Sequence, residues 1–256
     1  MKKIIGHALS KVPEVTLIFW IVKILATTLG ETGGDALSMS MNLGYAVSSL
    51  IFLVIFVGAV TAQVRAIAFH PALYWIAIVA TTTLGTTIAD YVDRSLGIGY
   101  FGGTAILVAG LALSLIIWRW FEGSIAVETV ATPRVEGFYW VTIMFSQTLG
   151  TALGDWVAGA NSLGFEGGAL IFGAALAVIV ALHFYSRLST TMLFWAAFVL
   201  TRPLGATVGD LLDKPVALGG LNFSRFTASA VLMVAIIALV WLVPQKAGRH
   251  PAQAES

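Results

Sequence analysis

A single phrase recurs four times along the chain and constrains its fold more than any other feature. Each copy has an aromatic residue followed by Trp, a Leu-Gly pair whose Gly lies ten residues after the Trp, and an Asp five residues later. The Gly and Asp of the four copies are Gly30 and Asp35, Gly85 and Asp90, Gly150 and Asp155, and Gly205 and Asp210. A second Gly follows each Asp by nine residues, at Gly44, Gly99, Gly164 and Gly219. Ungapped internal repetition of this kind predicts a fold built from equivalent units.

The composition of the chain indicates that these units lie in a membrane. Of the 256 residues, 58% are hydrophobic and only 11% are charged, whereas a soluble domain carries about 25% charged residues. The absence of Cys excludes disulfides and thiolate metal sites, and a net charge of +1 gives no basis for nucleic-acid binding. The chain has no P-loop, nucleophile elbow, dinucleotide fingerprint or HExxH motif, so we expect neither enzymatic activity nor a cofactor.

Each repeat contains two apolar stretches long enough to cross a hydrocarbon core of about 30 Å. The predicted spans are 15–35, 45–64, 73–91, 101–118, 138–156, 166–186, 191–211 and 224–243. We therefore predict an all-α membrane protein with eight transmembrane helices, arranged as four parallel two-helix repeats in a pseudo-fourfold or pseudo-twofold bundle. A single transmembrane domain would cover 1–244, with repeats at 15–65, 73–119, 138–187 and 191–243, and 245–256 would be a disordered cytoplasmic tail.

The distribution of Lys and Arg predicts the orientation of these spans. The first long apolar run begins near Val15 and does not directly follow Lys2 and Lys3, so we expect no cleavable signal peptide. Nine basic residues fall on one side of the predicted membrane and three on the other. The nine are Lys2, Lys3, Lys11, Arg65, Arg119, Arg134, Arg187, Lys246 and Arg249, and the three are Arg94, Lys214 and Arg225. The positive-inside rule then places both termini in the cytoplasm and the Asp ends of the odd-numbered spans outside. The lipid bilayer is the expected partner, and the oligomeric state is open.

The aromatic-Trp doublets have two interpretations. They lie a turn or two inside the start of each odd-numbered span, where an interfacial belt of aromatic residues would anchor the helices. We favour that interpretation over packing at the centre of the bundle.

The repeated Asp residues likewise have two interpretations. In the first, the surrounding Gly, Ala, Ser and Thr only pack helices together, and each Asp caps a loop or faces the outer solvent. In the second, the carboxylates face the bundle interior, as ionisable groups within membrane spans usually do, and bind a hard cation through oxygen ligands. The predicted metal ligands or proton carriers are Asp35, Asp90, Asp155 and Asp210, with Glu31 as a modifier and the hydroxyls of Thr28, Thr83 and Thr148 as contributors.

Three charged residues break the equivalence of the repeats. Glu31 occurs only in the first copy, and the two deepest basic residues, Lys23 and Arg202, lie in the first and last copies, which are neighbours in a closed ring. An unpaired charge in hydrocarbon costs at least ~2.5–3.5 kcal/mol, so we predict that Glu31 or the Asp residues neutralise both. Lys23 could alternatively couple transport to protons, or the two cations could bind an anionic substrate. The adjacent pairs Asp93-Arg94 and Asp213-Lys214 are expected in solvated outer loops.

The repeat resembles that of bacterial inner-membrane proteins built from four tandem copies of a "repeat of unknown function", each with two membrane spans and a Trp. Trp20, Trp75, Trp140 and Trp195 carry the resemblance together with the Leu-Gly…Asp phrase, over about 15–243. It implies the fold, the topology and a bacterial inner-membrane location, and it implies no activity. The stretch from Glu31 to Asp35 is more loosely similar to the Glu-x-Gly-Asp signature of Golgi and bacterial manganese/calcium–proton exchangers, with a spacing that differs by one residue.

These features together predict a transporter or channel-like protein for a small cation, such as the divalent metal Mn²⁺, with coupling to protons. The alternative is a membrane scaffold or sensor that transports nothing. Carboxylates that converge on a shared water-filled axis would favour transport, whereas carboxylates that each bond to their own connector would favour the alternative.

Overall fold

Eight long α-helices account for most of residues 10–159 and 163–248, the part of the chain that the computed structural model describes. They are α1 (Leu17–Asp35), α2 (Gly44–Arg65), α3 (Pro71–Asp90), α4 (Gly99–Glu122), α5 (Pro133–Gly159), α6 (Gly164–Tyr185), α7 (Thr190–Asp213) and α8 (Arg225–Leu242). Each covers one of the predicted spans, so the prediction of an all-α chain is confirmed. π-helical turns at Ala36–Ser40 and Tyr91–Ser95 continue α1 and α3.

Seven of the eight helices are long and apolar enough to cross a membrane. The exception by composition is α5, the longest helix, which carries a more polar set of buried side chains. Large apolar side chains cover the outside of the molecule, for example Leu50, Phe101, Leu170 and Val234, each more than 60% exposed. A surface this apolar suits lipid rather than water, so the chain has the character of a multi-pass membrane protein.

The eight helices form two concentric layers. Helices α1, α3, α5 and α7 make an inner ring in which each packs against the next and α7 packs against α1. Helices α2, α4, α6 and α8 lie outside this ring, and each packs mainly against the inner helix of the following repeat: α2 on α3, α4 on α5, α6 on α7, and α8 on α1. The inner helices are therefore shielded from lipid, and the last repeat closes onto the first.

The Gly of each Leu-Gly pair allows the inner helices to approach this closely. A Cβ atom on Gly30 would lie 2.5 Å from the Thr82 methyl carbon, and one on Gly85 would lie 2.9 Å from the backbone of Gln147. Gly150 meets Arg202 and Gly205 meets Thr27 in the same way. Each Gly thus packs against the residue three positions before the Gly of the next repeat. The packing interpretation of these glycines is confirmed.

The second repeated Gly determines the turn into each outer segment. Gly44, Gly99, Gly164 and Gly219 all have positive φ angles, between 66° and 84°. Residues with a Cβ atom rarely adopt this left-handed conformation, whereas Gly does so without steric cost. The repeat therefore specifies a backbone conformation at these four positions.

The aromatic doublets lie inside the protein, and the favoured prediction of an interfacial belt is wrong. Trp75 and Trp140 are each 2% exposed and Tyr139 is fully buried. The ring centroids of Phe19 and Tyr74 are 6.4 Å apart, and the hydroxyls of Tyr74 and Tyr139 are 2.7 Å apart. The less favoured alternative, packing at the centre of the ring, describes these residues, because the outer helices leave the inner ones little contact with lipid. We call this end of the ring the aromatic end, and the opposite end, which carries the repeated Asp residues, the acidic end.

Segments close to both termini cover the aromatic end. Ser10 donates its backbone N–H to the Gly248 carbonyl at 3.2 Å, and Pro13 and Ala247 form an antiparallel bridge. Lys11 is buried here, with its ammonium 2.6 Å from a Glu136 carboxylate oxygen. Residues 245–248 are thus ordered, contrary to the predicted disordered tail, because their backbone pairs with the N-terminal segment. The rest of that tail and the predicted cytoplasmic residues Lys2, Lys3 and Arg249 lie outside the described residues.

Candidate functional site

The four repeated Asp residues are buried at the acidic end of the inner ring. Asp35 is 0% exposed, Asp90 2%, Asp155 7% and Asp210 1%. The interpretation in which these residues face the outer solvent is therefore wrong. The closed ring, the outer helices and the turns that follow the inner helices exclude solvent from all four carboxylates.

Two basic side chains join the carboxylates in pairs. The Lys214 ammonium contacts Asp35 and lies 2.9 Å from an Asp210 oxygen, which links the first and fourth repeats. The Arg94 guanidinium lies 3.0 Å from an Asp90 oxygen and 2.9 Å from an Asp155 oxygen, which links the second and third. The acidic end thus has a pseudo-twofold arrangement. Asp90 and Asp210 each bond to a base of their own connector, as the scaffold alternative predicts, whereas Asp35 and Asp155 bond to a base from another repeat.

The pairs Asp93-Arg94 and Asp213-Lys214 belong to this site, and the prediction that they are solvated is wrong for Asp93, Asp213 and Lys214, whereas Arg94 is exposed. Asp93 and Lys214 are each 7% exposed and Asp213 is 4% exposed. Arg225 adds a third base, with its Nε atom 3.2 Å from Asp213 and 3.7 Å from Asp35. Asp93, Asp213 and Lys214 are buried because the turns after α3 and α7 fold back over the ring.

The sequence contains a pattern that distinguishes the repeats with these pairs from the repeats without them. The second and fourth repeats read Asp-x-x-Asp followed by Arg or Lys, whereas the first and third have Met39 and Gly159 in place of the base. This alternation indicates a twofold grouping of the repeats, which sequence reasoning missed.

Lys214 lies just beyond the end of α7 and stays charged in this setting. Burial lowers the pKa of the Lys214 amine, but the carboxylates of Asp210 and Asp35 outweigh that effect and raise the pKa above its ordinary value. The two carboxylates of the bridge thus favour the charged form of the Lys214 amine.

Arg202 occupies the centre of the ring, one layer deeper. Its Nη2 atom donates to a Glu31 carboxylate oxygen at 3.1 Å, to the Thr86 hydroxyl at 2.6 Å and to the Thr151 hydroxyl at 2.5 Å. These three acceptors hold equivalent positions in the first three repeats, and the fourth repeat has Ala206 there. Arg202 is 0% exposed. The structure thus places Arg202 beside Glu31, as predicted, and its guanidinium fills the axis at this level.

Lys23 lies where the sequence predicted a buried charge, but it has a different environment. It is the seventh residue of α1, about 9 Å from the helix start at ~1.5 Å per residue, so it is closer to the aromatic end than expected. Its ammonium lies 3.5 Å from the Thr201 hydroxyl and 4.1 Å from the centroid of the Phe198 ring. No carboxylate of the described residues lies within 4.0 Å of this ammonium. The predicted pairing with Glu31 does not form, because Glu31 is two helical turns away and bonds to Arg202.

The predicted hydroxyl contributors lie away from the carboxylates. Thr28, Thr83 and Thr148 donate to carbonyls of their own helices, at 3.0, 2.7 and 3.0 Å. The hydroxyls that reach the site come from Thr86 and Thr151, which align with Glu31 in the repeat. That alignment was the available signal, since only residues on the axial face of each helix can meet across the ring.

Three carboxylates form the tightest acidic group. One oxygen each of Glu31, Asp35 and Asp210 lies within 4.8 Å of the other two, and all three residues are buried. Asp90 and Asp155 do not belong to this triad. One oxygen of Asp35 has no hydrogen-bond partner among the described residues. The triad therefore offers oxygen ligands of the kind that hard divalent cations bind.

Carboxylates outnumber bases at the acidic end as a whole. The described residues contribute seven carboxylates to its contacts and four bases, which leaves an excess of three carboxylates. The seven are Glu31, Asp35, Asp90, Asp93, Asp155, Asp210 and Asp213, and the four are Arg94, Arg202, Lys214 and Arg225. Uncompensated negative charge is costly away from water, so this end of the ring favours the uptake of positive charge.

Comparison with known protein families identifies the repeat. The family model described as Repeat of Unknown Function (DUF347) matches residues 18–68, 73–124, 138–189 and 193–246. Each match contains one copy of the Leu-Gly…Asp phrase, so the prediction of a four-repeat family is confirmed. No curated protein and no solved structure matches the chain. The description of the repeat assigns no activity, so a functional assignment depends on the site itself.

Proposed function

The chain belongs to the family built from this repeat of unknown function, and on that premise we propose that it is a proton-coupled membrane carrier for a small cation, and not an enzyme. All eight helices would span a bacterial inner membrane, as four parallel repeats about an axis along the membrane normal. The distribution of basic residues supports placing both termini in the cytoplasm and the acidic end outside.

The triad of Glu31, Asp35 and Asp210 carries the proposal. Carboxylate ligands suit Mg²⁺, Ca²⁺ and Mn²⁺, and the three oxygens lie close enough together to contact one ion. A divalent cation such as Mn²⁺ would take the place of the Lys214 ammonium, which now lies between two of these carboxylates. Lys214 thus acts as an internal competitor that helps to release the ion.

The excess of carboxylates supports coupling to protons. When the cation leaves, protons can neutralise the carboxylates that Lys214, Arg94 and Arg225 do not reach. Asp93 forms no salt bridge among the described residues, and one of its oxygens has no hydrogen-bond partner there, so it is the group best placed to accept a proton. Exchange of a cation for protons keeps the charge of the acidic end nearly constant.

The contents of the ring favour a carrier over an open channel. A cation that moved along the axis would meet the Arg202 guanidinium and then the packed aromatic end. Transport would therefore require the inner helices to rearrange and expose the site to one side at a time, as in other carriers with internal repeats.

Flux through reconstituted protein tests this proposal. We expect proteoliposomes to take up Mn²⁺ in response to a pH gradient, and we expect Asp35→Asn and Asp210→Asn to abolish uptake. Glu166→Gln is a matched control, because Glu166 is an exposed carboxylate at the start of α6. If the purified protein moves no divalent cation when the pH gradient is applied in either direction, the scaffold or sensor alternative is correct.

A further inference from the structure

We propose that the ring holds a second site, for a small monovalent anion, between the Arg202 guanidinium and the aromatic end. Lys23 is its charged ligand, and polar side chains of α5 complete it. This site is separate from the carboxylates of the acidic end and does not depend on cation transport.

The Lys23 ammonium lacks the contacts that a buried cation needs. It has three N–H donors, yet its only hydrogen-bond acceptor among the described residues is the Thr201 hydroxyl at 3.5 Å. That hydroxyl donates its own hydrogen to the Phe198 carbonyl at 2.8 Å. The Phe198 ring offers a further weak attraction. Two donors of Lys23 therefore have no acceptor from the described part of the chain.

The layer around Lys23 contains no acid among the residues that the structure describes. The equivalent residues of the other three repeats are Ile78, Ile143 and Phe198, and all four side chains are 0% exposed. The Arg202 charge, one to two turns away, is balanced by Glu31. One positive charge is thus left uncompensated inside the ring, which favours a ligand with one negative charge.

Helix α5, which lies across the ring from the helix of Lys23, carries a strip of buried polar side chains. Thr142, Ser146 and Gln147 are each 0% exposed, and their polar side-chain atoms have no hydrogen-bond partner among the described residues. Hydroxyls inside helices often bond to a carbonyl of the preceding turn, as Thr148 does, but Thr142 and Ser146 do not. Buried polar groups are almost always bonded to something, so this strip has its partner beyond its own helix.

The strip and Lys23 lie at the same level of the ring, on helices at opposite corners. Helices α1 and α5 both pack against α3 and α7, so they occupy opposite corners of the ring. Lys23 and Ser146 lie within one helical turn of each other in the repeat register, a rise of about 6 Å or less. Arg202 Nε and the Thr82 hydroxyl, which also lack partners among the described residues, lie on the next layer.

The chemistry of these groups selects the ligand. An ammonium, an amide, a guanidinium N–H and several hydroxyls supply mainly hydrogen-bond donors, and the two cations repel a positively charged ligand. The side chains of this layer are fully buried, so a ligand among them must be small. Chloride, nitrate and formate have the required charge and size, whereas gluconate is too large.

Thermal unfolding of the purified full-length chain tests the anion site. In a gluconate buffer, we expect chloride, nitrate or formate to raise the Tm of the wild-type protein in a saturable manner, as a ligand of the native state does. Lys23→Met should abolish this response. Gln147→Leu should weaken the apparent affinity by about ten- to hundredfold, the effect of one hydrogen bond to a charged group.

Two control variants distinguish binding at this site from a general effect of salt on stability. Arg65→Gln removes an exposed charge, and Asp35→Asn alters the acidic end; both should leave the anion response intact. If no anion shifts the wild-type Tm, or if the shift survives Lys23→Met, the proposal is wrong. If Lys23→Met does not fold, Gln147→Leu and Ser146→Ala provide the test. An unchanged affinity for the anion in both variants would also overturn the proposed anion site.

Discussion

Replacing Gly85 by Ala tests whether the inner ring depends on the repeated glycines. A Cβ atom on Gly85 would lie 2.9 Å from the Gln147 carbonyl carbon and from the Thr148 nitrogen, whereas carbon atoms in contact prefer about 3.5–4.0 Å. Both neighbours are backbone atoms of α5, so no side chain can rotate away. Helices α3 and α5 would have to separate by roughly 0.6–1 Å.

The expected loss of stability is moderate and measurable. Overpacking of this kind costs about 1–3 kcal/mol, and the better helix propensity of Ala returns about 0.5–1 kcal/mol. The net effect is a loss of up to about 2.5 kcal/mol, equivalent to several degrees in Tm at about 2–4 °C per kcal/mol for a chain near this length. Thermal unfolding in detergent, followed by circular dichroism, measures the change.

Gly58→Ala provides the matched control. Gly58 lies inside α2, and a Cβ atom there would have no neighbour within 4 Å. This variant gains helix propensity without a clash, so its Tm should equal or exceed that of the wild type. If Gly85→Ala is as stable as Gly58→Ala, the inner helices do not require close backbone approach, and the role in packing assigned to the repeated Gly is wrong.

Three further predictions concern the charged residues of the ring. Arg202→Met should destabilise the protein by about 3–5 kcal/mol, because it leaves Glu31 buried without its partner, and the double variant with Glu31→Gln should recover part of that loss; strictly additive unfolding free energies would argue against the pair. Glu31→Lys should lower the stability of the protein far more than Glu31→Gln in the same assay. An equal loss of stability in the two variants would contradict the pairing of Glu31 with Arg202. Lys214→Met should strengthen Mn²⁺ binding in calorimetric titrations, because it removes the cation that competes for the triad, whereas Arg94→Met should leave the affinity unchanged; the reverse order would place the metal between Asp90 and Asp155.

The helices were predictable because the repeat and the hydropathy pattern are both local. Gly30 and its equivalents signalled close packing, since Gly with small neighbours has few other uses in a membrane helix. The aromatic doublets were misplaced because a local pattern does not reveal that α2 covers α3. Trp75 has the position of an interfacial anchor along the chain, but outer helices and terminal segments surround it.

The site was only partly predictable, because its contacts depend on helix rotation. The Asp positions were recognised, but the choice of Thr83 over Thr86 placed the hydroxyl on the wrong face of α3. The burial of Asp93 and Asp213 depends on how the turns fold back, which adjacent opposite charges do not reveal. Lys23 was expected to pair with a carboxylate. Only the alignment of the four inner helices around the ring shows that the described residues at the level of Lys23 include no carboxylate.

The overlap of each outer helix with the next repeat has a consequence for how such a chain could be divided. A repeat is not a self-contained hairpin, because its outer helix covers a neighbour and its own inner helix is covered by the preceding one. A half-chain of two repeats would leave one inner helix bare and one outer helix without a surface, and a second half-chain would supply both. The described ends of the chain, Ser10 and Gly248, meet at the aromatic end, so the ring has the connectivity of a circularly permutable chain.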